Sequence, residues 1–137
     1  MIRFLLWSPS VLWMAVIFYL SSRTGDDLGS WLDVIRQWIP AMEGFDSGHF
    51  AACFILSMCF LIGSRPERLT WKNKLVPVIL CILYGVTDEY HQSFVPGRTP
   101  DLLDLWNDAI GATLAMLLVG WPPAKRWLGR LTGAKYC

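Results

Sequence analysis

Four apolar stretches set the terms on which this chain can fold. They run over Phe4–Ser21, Ser47–Ser64, Leu75–Tyr90 and Leu102–Trp121. A helix rises about 1.5 Å per residue, so roughly 20 residues are needed to cross the hydrocarbon of a bilayer. The third and fourth stretches approach that length only by including ionisable residues. Asp88 and Glu89 lie near the end of one, and Asp104 and Asp108 near the start of the other. Hydrocarbon holds such groups only at high cost, so they must face protein or a wet cavity. The expectation is an all-α polytopic membrane protein: one transmembrane four-helix bundle, a single domain over residues 1–137.

Composition excludes the main competitors. The chain is 54% hydrophobic and 17% charged. A soluble domain carries about 25% charge, and disorder needs low hydrophobicity with high net charge. A net charge of +1 argues against a nucleic-acid binder. Of the four cysteines, Cys53, Cys59 and Cys81 fall in apolar runs and Cys137 is the last residue. No C-x-x-C pair occurs, so a zinc knuckle is excluded and the thiols read as inert apolar fillers.

The first stretch resembles a secretory signal in outline. Phe4–Leu20 is nevertheless long enough to span, and Ser21-Ser22-Arg23 is a poor cleavage site. A retained helix is expected, with Pro9 in its first third causing at most a kink. Between the first two stretches, Leu28, Trp31, Leu32, Ile35, Trp38 and Ile39 recur at helical spacing. This predicts a short amphipathic interfacial helix over Asp27–Met42, acting as a cover for the bundle or as a lipid-facing gate.

Charge predicts orientation. Arg3 precedes the first stretch; Arg65, Arg68, Lys72 and Lys74 separate the second and third; Lys125, Arg126, Arg130 and Lys135 follow the fourth. The positive-inside rule then places both termini in the cytoplasm and loops 22–47 and 90–101 outside. Every acid except Glu67 lies in or beside the outward segments. Up-and-down topology brings the start of the second helix, the end of the third and the start of the fourth to one leaflet. His49, Asp88, Glu89, His91, Gln92, Arg98, Asp101, Asp104 and Asp108 all sit at that boundary, with Asp46 beside them as a cap for the second helix.

Spacing adds detail. Asp104 and Asp108 are i, i+4 and share a helix face, where like charges destabilise. They call for a partner: Arg98, a protonated histidine, a shared proton or a metal ion. Pro96-Gly97 signals a tight turn that presents Arg98. An arginine so held clamps a phosphate or carboxylate, or forms a structural ion pair with Asp104 or Asp101. Imidazole and carboxylates are a ligand set for a divalent ion and a set for acid–base work near neutral pH. Gly111 and Ala115 form a small-xxx-small pair, and Gly85 lies in the third helix; close helix approach is expected, with a homodimer face as the alternative. Trp71, Trp121 and Trp127 fit an inner interfacial belt, and the tail after Pro122-Pro123 reads as a short cytoplasmic amphipathic segment.

The run Asp88-Glu89-Tyr90-His91-Gln92-Ser93-Phe94-Val95-Pro96-Gly97-Arg98, followed by Asp104, Asp108 and Gly111, resembles the signature of the VanZ-like family. His49-Phe50 resembles that family's His-Phe at the second helix. Phe45 and Asp46 stand where the family often carries Asp-Lys, so that lysine has no counterpart at the matching place. The family takes its name from a protein linked to teicoplanin resistance, and the resemblance implies a role in the cell envelope. Its motif carries over His49, Glu89, His91, Gln92, Arg98, Asp104 and Asp108 as site residues.

Two function classes follow. The first is a hydrolase or transferase in the cytoplasmic membrane. His49, Glu89, His91, Asp104 and Asp108 would be catalytic, with Arg98 and Gln92 binding an anionic envelope lipid or lipid-linked precursor, and a divalent metal would fit the ligand set. No G-x-S-x-G or S-x-x-K nucleophile motif is present. The second is a non-catalytic lipid- or drug-binding module. A proton-coupled carrier is disfavoured by four short spans without repeats.

Overall fold

The structure, a computed structural model, describes residues 5–23, 47–133 and 136. The amphipathic segment Asp27–Met42 and the capping residue Asp46 lie outside the described residues. Among those described, the secondary structure is entirely helical. The helices are α1 (Ser8–Ser21), α2 (Ser47–Ser64), α3 (Trp71–Gln92), α4 (Leu102–Leu118) and α5 (Pro122–Thr132).

Helix α1 starts later than the apolar run does. Pro9 is its second residue, in the first turn and so within its first third. Proline lacks the N–H that an early helical position leaves unpaired anyway, and its φ is preset for the helix. At that place it serves as a start signal, within the expectation of at most a kink. Helix α3 is capped by Thr70, whose side chain accepts the Asn73 N–H at 3.3 Å. It continues to Gln92, so Asp88 and Glu89 are helical. Helix α4 is capped by Asp101, which accepts the Leu103 N–H at 2.9 Å. Between them, the Arg98 N–H bonds the Val95 carbonyl at 3.2 Å, with Pro96 and Gly97 (φ 77°) at the centre. This is the tight turn that Pro-Gly signals. The tail beyond Pro122-Pro123 forms α5, ended by Gly133 in the left-handed conformation at φ 67°.

Helix α2 sits at the centre and packs most extensively on α4, with α3 and α1 on its other sides. The Gly111–Ala115 face turns inward against α2: a Cβ on Gly111 would overlap the Phe50 carbonyl oxygen, and Ala115 is fully buried. Small residues let the two backbones approach. Long-range hydrogen bonds hold α1. Trp13 Nε1 donates to the Ala52 carbonyl at 2.9 Å and the Tyr84 hydroxyl to the Met14 carbonyl at 2.6 Å. Tyr84→Phe removes one tie with little change of shape; a loss of about 1 kcal/mol is expected in detergent-based thermal unfolding.

The interior combines large apolar side chains, Leu56, Leu61, Val119 and Leu128 among them, with small and polar ones such as Cys53, Cys81, Ala112, Ala115, Ser10 and Ser57, while Leu12, Leu83 and Leu117 are more than half exposed. Among the described residues, no single helix is long and apolar enough to cross a membrane alone. Helices α4 and α5 pass that test together, across a bend of 91°. The shortfall has two sources. Helix α1 loses residues to its proline start, and α3 and α4 spend length on ionisable groups.

Candidate functional site

His49 lies in the first turn of α2, Glu89 in the last turn of α3 and Asp104 in the first turn of α4, with Asp108 one turn further on. Up-and-down order puts these three helix ends together. His49 Nε2 is 3.9 Å from Glu89 Oε1 and 3.7 Å from Asp104 Oδ2. His49 Nδ1 is 3.5 Å from Asp108 Oδ1. One imidazole therefore faces three carboxylates from two other helices. The i, i+4 acids of α4 find a shared partner on α2, which answers the repulsion their spacing creates.

A second layer holds these groups. Asp88 is buried, and its Oδ2 accepts the Ser21 hydroxyl at 2.7 Å and the Gln92 amide at 2.9 Å. Glu89 Oε2 accepts the Asp101 N–H at 3.0 Å, tying the end of α3 to the start of α4. Asp108 is buried where α3 carries no side chain, because a Cβ on Gly85 would overlap Asp108 Oδ2. Gly85→Ala must push that carboxylate aside or part the helices. A destabilisation of roughly 1–3 kcal/mol is expected, read as a lower melting temperature of the purified protein.

The structure gathers His49, Glu89, Asp104 and Asp108 around one point and keeps the other sequence-derived positions apart from that contact. Gln92 turns inward to Asp88 and is almost fully buried. His91 stacks on Phe18 of α1, with ring centroids 4.2 Å apart and planes at 24°. Arg98 donates through Nε to the Arg23 carbonyl at 3.4 Å, and among the described residues no carboxylate lies within ion-pair distance of it.

A family model described as VanZ/LLP1 matches residues 6–121. The chain belongs to the VanZ/LLP1 family. No curated protein and no solved structure matches it. The VanZ/LLP1 match takes in α1 to α4 and every residue of the cluster, and it ends before α5.

Sequence reasoning passed over three contributors. Ser21 read as the end of an apolar run and part of a poor cleavage site, yet it orients Asp88. Asp88 counted among the boundary acids without a role of its own. Gly85 read as a helix-contact residue, and it makes the space for Asp108. The available signal for Gly85 was its place one helical turn before Asp88 and Glu89 in an otherwise bulky apolar stretch.

Proposed function

We propose that this VanZ/LLP1 family member is a multi-pass protein of the cytoplasmic membrane, with both termini in the cytoplasm. The His49 cluster acts at the outer leaflet, as a hydrolase or transferase, on an anionic envelope lipid or lipid-linked precursor. The observation that carries this reading is the convergence of Glu89, Asp104 and Asp108 on His49 at one end of the bundle. Many large apolar side chains face outward, Leu12, Leu83 and Leu117 among them, as lipid contact requires, while Asp88, Glu89 and Asp108 are buried against protein. The Lys and Arg distribution supports the orientation.

The chemistry follows from the geometry. Asp108 beside Nδ1 orients the imidazole and stabilises it once charged. His49 Nε2 can then take a proton from water or a substrate hydroxyl as the bond to the headgroup forms, and return it to the departing oxygen. Glu89 and Asp104 flank that nitrogen and set the path of the proton. Arg98, on the turn after α3, supplies a two-point grip for a phosphate or carboxylate. Gln92 and Ser21 hold Asp88 and act as positioning residues.

The test is a lipid and envelope-precursor profile of cells with and without the protein, and with Asp104→Asn or Arg98→Ala at matched abundance. Teicoplanin susceptibility of the same strains reads the envelope change from outside. An altered profile abolished by both variants is expected. Loss with Arg98→Ala but retention with Asp104→Asn identifies a non-catalytic lipid- or drug-binding module. A full phenotype in both variants removes the site reading.

A further inference from the structure

We propose that His49, Asp88 and Glu89 bind one divalent transition-metal ion of the zinc or manganese class. One ligand atom from each of the three lies within 4.8 Å of the others. Metal–ligand distances of about 2.0–2.2 Å place neighbouring ligand atoms roughly 3–4 Å apart, so a modest inward closure completes the set.

Proximity of acids does not make a site. The second observation is how each carboxylate is held. Asp88 is 4% exposed and Glu89 is 7% exposed. Asp88 spends Oδ2 on Ser21 and Gln92, and its Oδ1 is buried with no hydrogen-bond partner among the described residues. Glu89 spends Oε2 on the Asp101 N–H, and its Oε1, 3.9 Å from His49 Nε2, is likewise buried with no hydrogen-bond partner among them. Each side chain is thus fixed by one oxygen and bare at the other. Leaving a buried acceptor without a donor is unfavourable, and two on adjacent residues compound the cost. A divalent cation ligated by these two oxygens would relieve both at once. A single shared proton neutralises only one of them.

The imidazole is set up for the same role. Asp108 beside Nδ1 favours the proton there and leaves the Nε2 lone pair toward Glu89 and Asp104. A carboxylate behind a metal-bound histidine is the usual means of fixing tautomer and ring direction. Ser21, Gln92 and the Asp101 N–H do the corresponding work for the two acids. Imidazole with carboxylates suits zinc or manganese better than calcium, which takes six to eight oxygens. A cation here would also let an anionic headgroup approach a cluster that otherwise repels it. An ion on Nε2 would occupy the lone pair that the proposed function uses for proton transfer, so with the ion bound that transfer would fall to a neighbouring carboxylate such as Asp104; the ion site itself does not depend on the lipid reading, and cation binding without a lipid phenotype leaves it standing.

The full chain, purified in detergent and stripped with a chelator, is titrated with Zn²⁺ and with Mn²⁺ by calorimetry and manganese spin resonance. One ion per chain is expected. Asp88→Asn and Glu89→Gln should each weaken it at least about tenfold, while Glu67→Gln at the far end of the bundle should not. Zinc-edge X-ray absorption of the wild-type protein needs no variant. It should show one imidazole with oxygen neighbours at about 2.0–2.2 Å. The proposal is overturned by the absence of saturable binding, by unchanged affinity in a folded Asp88→Asn, Glu89→Gln double variant, or by sulfur in the coordination shell.

Discussion

Gly111→Leu will separate α2 from α4 and leave little folded protein. A Cβ at Gly111 meets the Phe50 carbonyl oxygen, and it also comes within 3.1 Å of the Phe50 carbonyl carbon and 3.2 Å of its Cα. These are backbone atoms of the central helix, so no rotamer change relieves the overlap. Helix α4 must translate away, and α2–α4 is the most extensive contact in the bundle. Overpacking against side chains costs about 1–3 kcal/mol. Against a helix backbone the expected loss is about 3 kcal/mol or more, a large share of the roughly 5–15 kcal/mol that holds a typical domain folded. Tryptophan-fluorescence melting of the purified protein, with its membrane abundance, measures this. An unchanged melting temperature would show that α4 does not approach α2 through Gly111.

His49→Gln is expected to abolish the envelope phenotype without lowering abundance. Glutamine keeps a polar group of similar reach at the start of α2 but has no ionisable nitrogen, so the proton transfer and the pairing with Glu89, Asp104 and Asp108 are both lost. Proton transfer by a positioned histidine contributes about 10²–10⁴-fold, which sets the size of the expected drop in turnover. Asp108→Asn should cost less, because it removes the orienting charge and leaves the imidazole. The readout is the rate of change in the lipid profile after induced expression. Wild-type rates with His49→Gln would sink the acid–base role. Loss of protein from the membrane would show instead that the histidine serves packing.

Part of this was legible from local signals. The ends of α2 coincide with its apolar run, and the turn after α3 follows from Pro96-Gly97. The common face of Asp104 and Asp108 follows from their spacing of four. Other features depended on partners distant in the chain. Pro9 read as lying inside a helix that began before it because the apolar residues before it are as hydrophobic as those after it. His91 illustrates the limit best. Two residues turn a helix by about 200°, so His91 lies nearly opposite Glu89 around α3 and meets Phe18 of α1 and not the cluster.

Taken alone, the sequence determined the helical class, the order of the helices and the end of the bundle where the costly groups collect. Each of these depends on hydropathy and periodicity within one segment. Tertiary structure decided which groups meet: His49 with Glu89, Asp104 and Asp108, Asp88 with Ser21 and Gln92, and His91 with Phe18. The physical reason is rotation. The azimuth of each helix about its own axis is set by close approaches at Gly85 and Gly111, and those approaches join residues from helices that are far apart in the chain.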